Sequence, residues 1–214
     1  MNILKPQKIL FEKLKNVEDL LIEFKNDDVI ENVNIENYKN EDIELTDITI
    51  RKAIITGSEL INCNLEKNTF IDVVFNNCNF SNSSFEKCTF IRCEFNNCKL
   101  TGCNYIETRL NDICFMNSNL IYINFSLAIM KGVLFEETIL RNSVFQENKT
   151  KNIVFKDSDL TQTQFLKTSL FGMDFSTCQI SGIVVSIEDV KGVTINEFQA
   201  LDLMGLLGVK IKEY

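Results

Sequence analysis

From about residue 50 to 185, a large apolar side chain stands at nearly every position whose number is divisible by five. The run goes Ile55, Leu60, Leu65, Phe70, Phe75, Phe80, Phe85, Phe90, Phe95, Leu100, Tyr105 and on through Phe145 to Val185, with Thr150 as its one break. Two residues before each large one sits a small or β-branched side chain, such as Ala53, Ser58, Cys63, Val73, Cys78, Ile113 or Thr138; Asn68, Asn148 and Met173 are the misfits. Two residues after it come Gly57, Asn62, Asp72, Asn77, Asn82, Asn97, Gly102, Asp112, Asn117 and others of the same three kinds. A period of five matches neither the helical nor the strand repeat, so each unit is a short extended step closed by a corner. Gly, Asn and Asp tolerate the positive φ that such corners need.

A second period, of twenty residues, sets the number of sides. Phe75, Phe95, Phe115, Phe135, Phe155 and Phe175 form one column, and Leu100, Leu120, Leu140 and Leu160 form its neighbour. Four units therefore close one square coil. About seven coils, stacked at the β-sheet spacing of roughly 4.8 Å, give a rod on the order of 30 Å long whose axis is filled by these ladders. The predicted fold is an all-β solenoid.

An open stack of strands exposes unpaired backbone groups unless something covers it, so the ends must differ from the middle. Residues 7–25 place Leu10, Leu14, Val17, Leu21 and Phe24 at helical spacing, which predicts a helical cap within residues 1–30. The repeat region is predicted over 31–190, with an irregular first coil, because Tyr38 and Asn40 depart from the pattern. Residues 191–214 form a third unit, in which Thr194-Ile195-Asn196-Glu197 reads as a capping box opening a helix to about Leu207. Gly208 suits the position after the last turn, and Val209-Lys210-Ile211 reads as a final short strand. Phe198, Leu201 and Met204 line one face of that helix, with Ala200 and Leu207 close by; such a helix either caps its own coil or packs against a twin.

Candidate chemistry is sparse. The chain has no His and no Trp, no Gly-rich phosphate loop and no nucleophile beside an identifiable base, so no enzyme is expected. Of eight cysteines, Cys63, Cys78, Cys88, Cys93, Cys98, Cys103 and Cys178 hold the small inward position. Cys88, Cys93, Cys98 and Cys103 ring a single coil, but Phe90, Phe95, Leu100 and Tyr105 share that cross-section. A tetrathiolate zinc site needs four sulfurs about 2.3 Å from one point, so small buried filler is the expectation, with no metal and no cofactor. A Cys78–Cys98 disulfide is geometrically conceivable and is disfavoured by a reducing compartment.

The net charge is −8, but its distribution matters more. Asp and Glu outnumber Lys and Arg by 12 to 6 in residues 1–50 and by 5 to 3 in 186–214, while residues 51–185 balance at 13 each. No basic stripe is visible along the chain, so direct nucleic-acid binding is not expected. Glu136, Glu137, Asp157 and Asp159 fall along one edge of stacked coils and form a candidate acidic patch for a basic partner surface; the plainer reading is a group of solvated carboxylates. The first ten residues carry Lys5, Pro6 and Lys8 without an apolar leader, and no stretch reaches the length of a membrane span, so a cytoplasmic protein is expected.

Units such as Cys63-Asn64-Leu65, Cys78-Asn79-Phe80, Ser118-Asn119-Leu120 and Ser158-Asp159-Leu160 resemble the consensus of pentapeptide-repeat proteins: a small residue, Asn or Asp, Leu or Phe, then two polar residues. The resemblance implies a right-handed quadrilateral β-helix. The tail from Gly192 to Ala200, followed by Leu206 to Ile211, is similar to the carboxyl tails of Gram-positive Qnr-like quinolone-resistance proteins. Those proteins dimerise through this segment, approximate B-DNA in shape and charge, bind DNA gyrase and topoisomerase IV, and protect them from fluoroquinolones. The resemblance thus implies a homodimer with Phe198, Leu201, Met204 and Leu207 at the contact, and a non-catalytic topoisomerase binder acting as a DNA mimic. The unbroken register leaves no projecting loops, and the repeat region is neutral. The competing expectation is an interaction scaffold whose partner is unrelated to topoisomerases.

Overall fold

Wherever the five-residue period holds, the backbone turns a left-handed corner two residues after each large side chain. Positive φ recurs at every fifth residue from Asn32 to Gly172 without a gap. The structure is a computed structural model that describes residues 3–7, 9, 11–20, 23, 28–210 and 212, apart from the side chains of Phe11 and Leu207.

The described strands are β1 (Lys15–Val17), β2 (Val29–Glu36), β3 (Lys39–Glu41), β4 (Thr49–Thr56), β5 (Glu59–Ile61), β6 (Thr69–Asn76), β7 (Thr89–Asn96), β8 (Arg109–Met116), β9 (Ile129–Glu136), β10 (Lys149–Lys156), β11 (Gln164–Phe165) and β12 (Val184–Val185). The strands β1, β2, β4, β6, β7, β8, β9 and β10 lie side by side in one eight-stranded sheet. Every pair is parallel, and from β2 onward each residue partners the one twenty positions on, as Phe75 does Phe95. The sheet thus records about eight coils, one more than the sequence period suggests. Each eight-residue strand spans two sides of the square, bending at its own left-handed residue: Asn32, Lys52, Asp72, Arg92, Asp112, Gly132 or Asn152. The other two sides are held by single bridges such as Asn64↔Ser84 and Asn119↔Ile139. Along one of them Leu60, Phe80, Leu100, Leu120 and Leu140 each donate an N–H to a carbonyl of the next coil at 2.7–2.8 Å.

The predicted columns fill the axis. Phe75, Phe95, Phe115 and Phe135 lie face to face, with centroids 4.6, 4.9 and 5.1 Å apart and planes within 15°. Phe155 continues the stack at 4.9 Å and 6°, whereas Phe175 turns edge-on to it at 80°. Rings of adjoining columns meet edge to face, as Phe75 meets Phe80 at 87°, the arrangement favoured by aromatic quadrupoles.

The small inward position has a second duty beyond leaving room. Ser83, Cys88, Cys103, Ser143, Thr163 and Thr168 each donate their side-chain hydrogen to a carbonyl of the previous coil, 23 residues back, at 2.7–2.9 Å. The carbonyls of Leu65, Phe80, Leu120 and Leu140 also accept from the residue three positions on, so these side chains add a hydrogen bond between coils to the one within the coil, and this explains why Ser, Thr and Cys interchange there.

The ends depart from expectation. Within the span predicted as a helical cap, Phe11–Lys13 form one turn of 3-10 helix and Lys15–Val17 a strand paired with β2, Lys15 opposite Val33, while Leu20 and Glu23 are helical and the Glu23 N–H donates to the Asp19 carbonyl at 3.4 Å. Val17 and Leu20 are buried against the end of the core, while Leu10, Leu21 and Phe24 lie outside the described residues. The free edge of β2 offers a row of backbone donors and acceptors, and a strand satisfies them where a helix cannot. The first coil is regular rather than irregular. Tyr38 is buried, its hydroxyl accepts from Asn40 Nδ2 at 3.2 Å, and left-handed corners fall at Asn32, Asn37, Asp42 and Asp47.

At the other end α1 (Gln199–Met204) passes into a 3-10 turn over Gly205–Leu207, and Gly208 closes it at φ 68° as expected. The capping box sits two residues later than predicted. Asn196 Oδ1 accepts from the N–H groups of Phe198 and Gln199, and Gln199 Oε1 accepts from the Asn196 N–H at 2.8 Å. Val209 and Lys210 form no strand, and Ile211 lies outside the described residues.

Candidate interaction surfaces

The interior holds no reactive constellation. All eight cysteines are free and buried. Burial pushes the thiols of Cys88, Cys93 and Cys103 up to about 12, so at neutral pH they are protonated and unreactive. In place of a shared metal, each of Cys88, Cys93, Cys98 and Cys103 addresses the carbonyl of a different residue: Leu65, Phe70, Phe75 and Phe80. Among the described residues no group of three or more His, Cys, Asp or Glu is placed to hold a metal ion. No described helix is long and apolar enough to cross a membrane.

What the rod offers is its outside. The predicted acidic edge is partly neutralised from within. Glu136 pairs with Lys156, and Asp159, nearly buried, pairs with Arg141. Burial pushes the Asp159 carboxyl up, but hydrogen bonds from Thr161 and Arg141 outweigh it and hold it below the usual range. Glu137 and Asp157 stand at stacked left-handed corners, with Lys156 Nζ 4.0 Å from Asp157 Oδ2. Glu137 and Asp157 are therefore the exposed members of the group, Glu136 is half-buried and Asp159 is buried, with Lys156 and Arg141 among them.

The C-terminal helix divides its apolar residues between two duties. Leu203 and Leu206 pack against the core, and Gln199, which sequence reasoning did not single out, ties the helix down. Its Nε2 donates to the carbonyls of Phe175 and Cys178 at 2.7 and 2.6 Å, so the helix satisfies the last coil's open acceptors. Phe198 and Leu201 point away, 76% and 60% exposed, while Met204 is half-buried. Of the predicted dimer residues, the Leu207 side chain lies outside the described set.

Two further features went unread. Residues 3–7 cross the outer side of the large sheet along the rod: Leu4 N–H reaches Asp112 Oδ1 at 3.4 Å, Lys5 Nζ lies 4.0 Å from Glu94, and Gln7 N–H donates to Asp72 at 2.8 Å. Nearby Cys114, an outward-phase residue, is buried, and its thiol is pushed up to about 11 by that burial, with Glu94 raising and Lys5 lowering it. Cations are also sorted by side. Arg109, Lys131, Lys149 and Lys151 all fall on the side that begins each long strand, and among the described ion pairs none involves them. A signal was present: Lys131 and Lys151 share one position of the twenty-residue period, Arg109 and Lys149 another.

A family model described as "Pentapeptide repeat region" matches residues 68–145, and one described as "Pentapeptide repeats (8 copies)" matches residues 43–82. Among solved structures, full-length QnrB1, a plasmid-mediated fluoroquinolone resistance protein, is 21% identical over 85% of this chain and 90% of its own, with a TM-score of 0.37. A trypsin-treated variant of QnrB1 is 21% identical over the same shares, with a TM-score of 0.42. HetL, a pentapeptide repeat protein involved in heterocyst differentiation regulation from the cyanobacterium Nostoc, is 9% identical over 86% of this chain and 98% of its own, with a TM-score of 0.34. No curated protein matches the chain by sequence.

Proposed function

Because this chain is a pentapeptide-repeat protein, we propose that it works without chemistry, as a rod that binds DNA gyrase or topoisomerase IV and shields the enzyme from fluoroquinolones. The observation that carries this reading is the C-terminal helix. It stands in a tail similar to that of Qnr-like proteins, it caps the last coil through Gln199, and it still presents Phe198 and Leu201 to solvent. Exposed apolar side chains of that size on a rod end are what a second copy would cover. Two rods joined there make one long, straight particle for a groove that normally holds duplex DNA. Phe198, Leu201, Met204 and Leu207 are the proposed contact, and Glu137 and Asp157 are the freest carboxylates of the acidic edge.

Titrating the purified protein into a gyrase supercoiling reaction containing ciprofloxacin tests this directly. Recovery of supercoiling at low ratios of protein to enzyme is the expected result. Inhibition without rescue at high ratios would mean competition with DNA but no protection. No effect at any ratio would favour a scaffold with an unrelated partner, a reading that the Glu136–Lys156 and Asp159–Arg141 pairs support, since they leave the proposed DNA-mimicking edge only modestly negative.

A further inference from the structure

The side of the rod that carries Arg109, Lys131, Lys149 and Lys151 has the chemistry of a nucleic-acid contact, and we propose that it binds a phosphodiester strand, with Phe171 as the stacking platform for an unpaired base. The inference does not depend on gyrase.

Lys131 and Lys151 are strand partners in neighbouring coils, and Arg109 and Lys149 are each partnered with Ile129. At the sheet spacing of roughly 4.8 Å this places Arg109 and Lys149 about 10 Å apart along the rod, with Lys149 and Lys151 about 7 Å apart across it. Four cations thus frame a small, flat field around Ile129, which is 39% exposed. A shallow groove of about 340 Å³ enters the field, lined by Thr89, Ile91, Arg109, Asn111, Ile129 and Lys131. No Asp or Glu stands among residues 69–71, 89–91, 109–111, 129–131, 149–151 or 169–171, which form this side; the nearest carboxylates, Glu107, Asp112 and Glu147, sit at its corners, where Glu147 pairs with Lys167. The field therefore keeps its positive charge although the chain as a whole carries −8.

Phe171 occupies the same column one coil beyond Lys151, and it is 79% exposed. Gly192 makes room for it: a Cβ there would lie 2.5 Å from the ring. A ring held open to solvent at the end of a row of cations matches what single strands use, phosphates on the cations and a base on the aromatic face. An acidic protein surface would use the same cations and would have no call for the ring. The segment totals that argue against a nucleic-acid partner average over four sides, and the twenty-residue period puts these cations on one.

The test is fluorescence anisotropy with a labelled oligonucleotide of about twenty nucleotides, single-stranded or duplex, at rising salt. Four phosphate contacts on a single strand predict that affinity falls about fiftyfold between about 50 and 200 mM salt. Lys131→Glu with Lys151→Glu should weaken binding by at least about tenfold, while Lys39→Glu with Lys99→Glu, the same change in net charge on another side, should move it less than about threefold. Phe171→Ala should cost about tenfold on the single strand and leave the duplex unaffected. Circular dichroism checks each fold, and Lys131→Gln with Lys151→Gln serves if the reversal disturbs it. No anisotropy change at low salt, equal losses from the two charge-matched pairs, or preference for polyglutamate over the oligonucleotide would each overturn the proposal. Equal loss on duplex and single strand from Phe171→Ala would overturn the stacking role.

Discussion

The coils between Phe75 and Phe155 and those nearest the amino end share one backbone but are filled differently. In the middle, Phe75, Phe95, Phe115, Phe135 and Phe155 stack as plates at 4.6–5.1 Å. At the amino end that column holds Ile35 and Ile55, with Ile30, Ile50 and Leu45 in the columns beside it, and a void of about 30 Å³ remains where this aliphatic filling meets the first rings, lined by Leu20, Ile48, Ile50 and Ile55 on one side and Phe70, Phe75, Phe80 and Phe85 on the other. Flat rings match the coil spacing and branched aliphatic side chains do not, so the period sets the path of the chain while the filling sets how tightly successive coils couple. In a solenoid each coil touches only its neighbours, so this difference should be visible as a difference in local stability.

The largest effect should come from cutting the ladder. Phe115→Ala removes a fully buried ring between two others and should cost about 3–5 kcal/mol, whereas Ile35→Ala, at an end already loosely filled, should cost about 2. Urea unfolding of both variants measures this, and Phe115→Ala should also lower the slope of the transition by uncoupling the two halves. Equal costs for the two would mean that the ladder adds nothing beyond burial. In the opposite direction, Tyr105→Phe should stabilise by about 1 kcal/mol, because the Tyr105 hydroxyl is buried among Phe85, Phe90 and Phe125 with no hydrogen-bond partner. A loss of stability would mean that the hydroxyl is satisfied in solution, by a thiol of the surrounding cysteine ring or a trapped water.

The corners allow a finer comparison. Asn117 and Leu127 hold the same backbone, φ 51° and 61°, though only Asn adopts it readily. Leu127→Asn should therefore stabilise the rod by about 0.5–1 kcal/mol and Asn117→Leu destabilise it by as much, read as opposite shifts in unfolding midpoint. Both shifts having the same sign would mean that the exposed Leu127 side chain, not its backbone, decides the outcome.

These corners also show what the sequence could and could not disclose. Where Gly, Asn or Asp stands two residues after the large side chain, the corner is legible. Lys52, Lys67, Lys87, Arg92, Glu107, Tyr122 and Leu127 turn the same way with no local signal, carried by the hydrogen bonds of the coils on either side. The helical spacing of Val17 with its neighbours misled because an open sheet edge outweighed weak local propensity, and Lys15–Val17 became a strand. The capping box was displaced because Asn196 and Gln199 also reach back to the carbonyls of Ser176, Phe175 and Cys178, contacts that exist only once the last coil is in place. The basic side was hidden by arithmetic along the chain. Totals over residues 51–185 balance, whereas totals taken by position within the twenty-residue period do not.

The smallest expected effect concerns an ion pair that binds neighbouring coils together through a buried carboxylate. Asp72 receives two hydrogen bonds from the Arg92 guanidinium one coil on, at 2.6 and 2.8 Å, and a third from the Gln7 N–H. Burial pushes its carboxyl up, but these donors and the Arg92 charge outweigh burial and hold it below the usual range. A carboxylate whose folded value is depressed contributes stability that is present above its unfolded value, about 3.9, and is lost as pH falls through the lower folded value. Asp72→Asn keeps one oxygen as acceptor for the Gln7 N–H and Arg92 Nε, and removes the charge together with the oxygen that accepts from the second guanidinium nitrogen. Its melting temperature should sit below that of the parent at pH 7, and the gap should close as the pH drops below about 4. Other depressed carboxylates, Asp159 and Asp174 among them, titrate in both proteins and cancel in the difference. A gap that stayed constant down to strongly acid pH would mean that Asp72 holds the coils through its shape and hydrogen bonds alone, and that the middle of the rod owes its tightness entirely to the filled core.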